Sequence, residues 1–156
     1  ADWRSDVESE ISGLAGLSDD ELIKEIQQRL TLKQTDFSEM DKPVVYLFAA
    51  TGIIENGGLR YFYENDFPDG VSHAEIAGCY RNIDMEKVAE LIEKSAACFP
   101  AGHPQPELDA RNEFLNDASL NDAFDSIDAD LFSETKRFEK KMAAYIRDNL
   151  EYFSRQ

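Results

Sequence analysis

Carboxylates are the side chains in this sequence best spaced to do chemistry. Asp109, Glu113 and Asp117 recur at every fourth position, and at about 100° per residue that interval lines them along one edge of a helix. Like charges at this spacing oppose the helix that carries them, so local stability does not account for the row. Asp122, Asp125, Asp128, Asp130 and Glu134 follow. Residues 107–134 hold nine acids against one base, Arg111, for a net charge of −8. B-DNA presents a backbone charge roughly every 3.4 Å along each strand. Carboxylates spaced along helices imitate such an array for a protein built to grip phosphates. For any single helix, a solvated face is the simpler account. The long acid run with almost no compensating base is what favours a surface for a basic partner. Asp109, Glu113, Asp117, Asp122, Asp125, Asp128 and Asp130 are therefore the candidate partner-binding, phosphate-mimicking residues.

Other chemistries fit less well. Asp125, Asp128 and Asp130 look superficially like calcium ligands, but the glycine and distal Glu of a calcium loop are not at the required spacing. Capping of the last helix by Asp125 or Asp128 is the preferred reading, since carboxylates suit helix N-termini; no metal site and no cofactor is expected. His73 and His103 are the side chains that titrate near neutrality, and neither sits in a catalytic motif; both are read as surface residues. Cys79 and Cys98 lie in apolar helical patterns and read as buried free thiols. Asn56-Gly57-Gly58 lacks the Gly-Lys-Ser/Thr of a phosphate loop and reads as a helix-ending turn. Tyr61, Phe62 and Tyr63 have only Arg60 beside them, whereas a base-stacking platform needs a basic surround. They read as core and edge. No catalytic residue is assigned, and an enzyme is not the expectation. A hydrolase using paired carboxylates would instead require a pocket holding a carboxyl group of raised pKa.

The whole chain agrees with a folded acidic protein. It has 156 residues, 42% hydrophobic, with 32 acids against 16 bases and a formal net charge of −16. That is long enough and apolar enough to bury a core, and the charge disfavours nucleic acid or an anionic membrane as direct partners. Residues 135–156 reverse the sign to +3. Their bases (Lys136, Lys140, Lys141 and Arg147 among them) have three readings: pairing within the fold, pairing with a second subunit, or solvation. No stretch of about 18 apolar residues is present, and the start ADWRSDVESE lacks a signal-peptide core. Cytoplasm is the expected location.

These side chains must be positioned by helices. Ser18 and Glu21 form a capping-box pattern ahead of Leu22, Ile23, Ile26 and Leu30. Pro43 suits the first turn of a second helix that runs to Ile54, where Ala49, Ala50 and Gly52 would admit a close neighbour. Residues 71–81 and 84–98 read as two further helices, and Pro100 to Pro106 as a loop. Residues 107–118 form an amphipathic helix with Leu108, Ala110, Phe114, Leu115 and Ala118 opposite the acids. Residues 128–150 form the last long one. β alternation is absent. An all-α, single compact multi-helix domain over 1–156 is the prediction, with 1–39 the less distinctive part.

The stretch Gly52-Ile53-Ile54-Glu55-Asn56-Gly57-Gly58-Leu59-Arg60-Tyr61-Phe62-Tyr63-Glu64-Asn65 resembles the signature of the bacterial DNA-mimic-protein-like domain family. The pattern continues through Ala74–Phe99 and from Phe124 to Phe153, so the resemblance spans about residues 40–153. It implies an all-helical fold, frequent dimerisation, no catalytic centre, and occupation of the DNA-binding surface of a helix-turn-helix transcription regulator. The motif marks the fold rather than mimicry, so the site residues above rest on charge patterning. An immunity or antitoxin-like protein that neutralises a basic nuclease toxin is the alternative.

Overall fold

The computed structural model describes residues 3–34, 36–117 and 119–156, so Ala118 of the expected apolar arc lies outside the described residues. Within these the backbone forms helices α1 (Trp3–Ala15), α2 (Asp19–Lys33), α3 (Lys42–Tyr63), α4 (His73–Asn82), α5 (Glu86–Ala96), α6 (Leu108–Leu115), α7 (Leu120–Thr135), α8 (Phe138–Asp148) and α9 (Leu150–Phe153). No strand occurs among the described residues. The fold is all-α, as the sequence pattern predicts.

Two capping boxes fix helix starts. The Ser18 hydroxyl accepts from the Glu21 amide at 3.2 Å while the Glu21 carboxylate accepts from the Ser18 amide at 3.3 Å, satisfying two donors that helix geometry leaves unpaired. Ser72 and Glu75 repeat the arrangement at α4. Pro43 sits in the first turn of α3, where a missing amide hydrogen costs nothing.

α3 is the central element, packing against α2, α4, α6 and α7. α7 runs antiparallel to it: Asn121 meets Arg60, Asp128 meets Leu59, and, beyond α7, the Phe138 ring lies 4.8 Å from that of Phe48. α4 pairs with α5, α5 with α7, α2 with α8, and α1 with α9. Leu22, Ile26, Leu47, Ile54, Leu59, Phe62, Tyr80, Leu131, Met142, Ile146 and Phe153 belong to one buried apolar cluster. Burial of each such side chain contributes about 1.5–3 kcal/mol. A polar knot ties the ends of the bundle together. Asp41 is fully buried and accepts from Lys33 at 2.7 Å, from the Ser38 amide at 3.1 Å and from the Tyr152 hydroxyl at 2.9 Å.

Several boundaries differ from the periodicity reading. α6 stops at Leu115, so Asp117 leaves the helical row and lies in the turn before α7. The expected 128–150 helix is two helices: α7 begins already at Leu120, and the chain turns at Lys136 and Arg137 before α8. The continuous apolar spacing hid the break. Residues 56–58 do interrupt the helix as expected, but a second helical stretch follows at once. Gly58 has φ +66° and ψ −157°, and the helix resumes beyond it in a new direction through Tyr63. Gly52 has nothing within 4 Å of a Cβ position and Ala49 is exposed, so only Ala50 of the three small residues is buried.

At Gly58 the positive φ disfavours any Cβ, and a Cβ there would fall 2.5 Å from the Asp128 carboxylate. Gly58→Ala should therefore lower stability by about 2 kcal/mol or more. Gly52→Ala, in open space within the same helix, should raise it by roughly 0.5–1 kcal/mol. Urea-unfolding midpoints of the two variants test both signs.

Candidate partner-binding surface

The seven candidate acids occupy four settings. Asp109 and Glu113 are exposed on α6, where with Asp66 and Glu107 they border a groove of about 530 Å³. Charge patterning missed those two neighbours: Asp66 is far away in sequence, and Glu107 is off the four-residue spacing. Asp117 lies in the turn after α6, where its carboxylate accepts from the Ser119 amide at 3.0 Å; that bond holds its pKa below the usual value. Asp122, Asp125 and Asp130 are exposed along α7. At about 100° per residue, Asp125 and Asp130 flank Asp122 at about 60° and 80°, opposite buried Phe124, Ile127 and Leu131. All three therefore sit on the solvent side.

Asp128 is different. It faces α3 and accepts the Leu59 amide at 2.8 Å. The break at Gly58 leaves that amide without a helical partner, so Asp128 caps the resumed helix from across the interface. It is half-buried, and burial raises its pKa, aided by Asp125 and opposed by the Leu59 amide. The expected capping of the last helix by Asp125 or Asp128 does not occur, because both sit inside α7. Capping is real for Asp128, but the capped helix is α3. Asp130 also points to a different side of α7 from Asp125 and Asp128, and no group of three or more potential metal ligands exists among the described residues.

The lone base of the segment points inward. Arg111 is 2% exposed. Its guanidinium donates to the carbonyls of Tyr63 at 2.9 Å, Gln105 at 2.9 Å and Pro106 at 3.0 Å, and to Asp66. Arg60 likewise turns to the Leu115 carbonyl and to Asn121 at 2.7 Å. Both cations serve the fold, and neither neutralises the outer face of α6 or α7.

Elsewhere many of the bases are matched within the fold, while Lys87, Lys94, Lys136 and Lys140 are exposed to solvent. Lys141 pairs with Asp84 at 2.7 Å, Arg147 with Asp19 at 2.9 Å, Lys33 with Asp41 at 2.7 Å and Arg81 with Glu86 at 2.8 Å. Lys141 and Arg147 of the basic α8 therefore pair intramolecularly, with acids of the α4–α5 turn and of α2, while Lys140 stays exposed. Among the described acids of the acidic segment only Glu134 has an ion pair, to Arg137 at 3.9 Å. Among the described residues, none of the eight carboxylates from Glu107 to Asp130 accepts an ion pair.

Two expectations about side chains change. His73 is buried rather than on the surface, packed among Phe62, Tyr63 and Phe67. Its Nε2 lies 3.1 Å from the Phe62 carbonyl and 3.0 Å from the Asn65 carbonyl, which fixes the hydrogen on Nε2. Burial, then Arg111, lowers its pKa. Cys79 is buried, with its thiol pushed up to about 11, whereas Cys98 is only half-buried. His103 is exposed, as expected, and Tyr61 stands at the edge of a core that contains Phe62 and Tyr63.

These settings separate structural acids from available ones. Asp128→Ala should cost about 1–2 kcal/mol by orphaning the Leu59 amide, and Asp128→Asn, which retains an acceptor, less. Asp122→Asn, Asp125→Asn and Asp130→Asn should each stay within about 0.5 kcal/mol. Equal losses for all four, read by chemical unfolding, would contradict the assignment. His73 gives a pH test. Because its folded pKa is depressed, its contribution is present above the unfolded value of 6.5 and fades as pH falls below it. A stability profile of His73→Gln should be flatter than wild type below that point.

The family model described as DMP19-like protein matches residues 35–149. No curated protein and no solved structure matches the chain. The matched region takes in the Gly58 break, the Asp128 cap, buried Arg111 and the whole unpaired acidic segment. With close to three quarters of its length covered, the chain belongs to the DMP19-like protein family.

Proposed function

We propose that this protein binds a basic DNA-binding protein across the surface which that partner uses for DNA, with carboxylates standing in for phosphates. A helix-turn-helix transcription regulator is the partner class that suits this role. One observation carries the reading: among the described residues the eight carboxylates from Glu107 to Asp130 have no ion pairs, whereas Asp19, Asp41, Asp84 and Glu86 elsewhere are each matched by a base. Unmatched acids on a folded surface lose stability to mutual repulsion, and a cationic partner reverses that loss. Family membership supports the same reading. Asp109, Glu113, Asp122, Asp125 and Asp130 are the binding residues on this account. Asp117 contributes from its turn, and Asp128 acts mainly by holding α3 against α7.

Spacing supports the imitation. At about 1.5 Å of rise per residue, Asp109 and Glu113 stand about 6 Å apart along α6, and Asp122 and Asp125 about 4.5 Å apart along α7. These intervals are of the same order as the charge repeat of a DNA strand.

Affinity capture from host lysate at low and high salt, followed by mass spectrometry, identifies the partner. A DNA-binding regulator released by salt, and displaced by its own operator DNA, is the expected result. A basic nuclease in its place would favour an immunity protein. Against the purified regulator, the combined variant Asp109→Asn, Glu113→Gln, Asp122→Asn, Asp125→Asn should bind roughly tenfold weaker or worse, with shallower salt dependence. Unchanged affinity in that variant would remove α6 and α7 from the interface.

A further inference from the structure

A second groove adjoins the acidic one. It has a volume of about 640 Å³ and lies between residues 66–74, which lead into α4, and loop residues 103–106. Its walls include Phe67, Val71, Ala74 and Pro104, and its size is that of a ligand-binding cleft. Asp66 and Pro106 border both grooves, so the apolar one opens beside the carboxylates of Glu107, Asp109 and Glu113.

Two hydrogen-bond acceptors in its walls lack donors. The Gln105 side-chain oxygen has no partner, an uncommon and costly state, and being closed to solvent it meets an occupant only once the side chain turns towards the groove. His73 carries its hydrogen on Nε2, which two carbonyls engage, so Nδ1 is an acceptor with no partner among the described residues. Arg111 offers an occupant little, because four of its five N–H groups go to three carbonyls and Asp66. An occupant must therefore be apolar in body, bring a hydrogen-bond donor, and continue into a cationic group where the groove meets α6.

Resting on the proposed function, we infer that this groove seats an aromatic, donor-bearing side chain of the basic partner, such as tryptophan, flanked by arginine or lysine residues that reach Asp109 and Glu113. Charge alone attracts any basic DNA-binding protein. A side chain buried beside the charges rejects those that cannot supply it, and aromatic anchors ringed by polar contacts dominate interface energetics.

The test uses the full chain and two synthetic peptides, Arg-Arg-Trp-Arg-Arg and Arg-Arg-Ala-Arg-Arg, titrated by amide NMR shifts at low salt. The tryptophan peptide should bind at least about tenfold tighter, with shifts at Gly70, Ala74 and His103. Ala74→Trp fills the groove from an exposed position and should bring the ratio of affinities close to one while leaving the alanine peptide unaffected. His103→Trp does the same from the opposite wall, should Ala74→Trp disturb α4. Asp109→Asn with Glu113→Gln should weaken both peptides and preserve their ratio. A ratio near one in the wild type, with salt-sensitive binding of both peptides retained, overturns this inference alone. A preserved ratio with no loss on acid neutralisation sinks the phosphate-mimicking role of α6 and leaves the groove standing.

Discussion

The buried guanidinium of Arg111 is the interaction on which the candidate surface depends. Three backbone carbonyls and one carboxylate surround it. These tie the C-terminal end of α3 to the loop before α6 and to the segment after Tyr63. A buried cation without such partners would cost several kcal/mol; with them, it fixes three chain segments at once. The anchoring also decides which way α6 faces. With Arg111 inward, Asp109 and Glu113 must lie outward, and the carbonyls of Gln105 and Pro106 are held where the two grooves meet.

A second constraint is the pairing of α3 with α7. The break at Gly58 redirects α3 so that Leu59, Phe62 and Tyr63 enter the core, and it exposes one backbone donor that Asp128 takes up. One face of α7 therefore holds the bundle together through Phe124, Ile127, Leu131 and Asp128, while the other presents Asp122, Asp125 and Asp130 to solvent. The same helix supplies both the fold's central contact and its charged surface. α6 repeats that division, with Arg111 inward and Asp109 and Glu113 outward, whereas elsewhere acids and bases meet across the bundle, as Lys141 and Asp84 or Arg147 and Asp19 do.

Much of the architecture was legible from short-range rules. The Ser18 box, Pro43 and the apolar stripe of α2 announced their helices because capping and periodicity depend on residues three or four apart. The concentration of acid in 107–134 was equally plain, since counting charges needs no coordinates. What escaped depends on distant partners. Nothing near Asp128 in sequence indicates that it caps Leu59, 69 residues away. His73 looked exposed beside Ser72 and Glu75 until Phe62 and Phe67 closed over it. Asp117 fitted the four-residue row perfectly, yet Asn116 ended the helix and the Ser119 amide claimed its carboxylate. Arg111 was counted as the lone neutralising base, and its burial makes the outer surface more acidic than the count implied.

The unpaired acids of α7 also fix how the free protein answers to ionic strength. Their mutual repulsion acts against the folded state, and dissolved salt screens it over roughly 10 Å at 0.1 M. Moderate salt thus relieves a strain in the isolated fold, yet the same screening weakens attraction to a cationic partner. On the proposed function, the free protein and its complex respond to salt with opposite sign, and a rise in ionic strength would release a well-folded, unoccupied protein rather than an unfolded one.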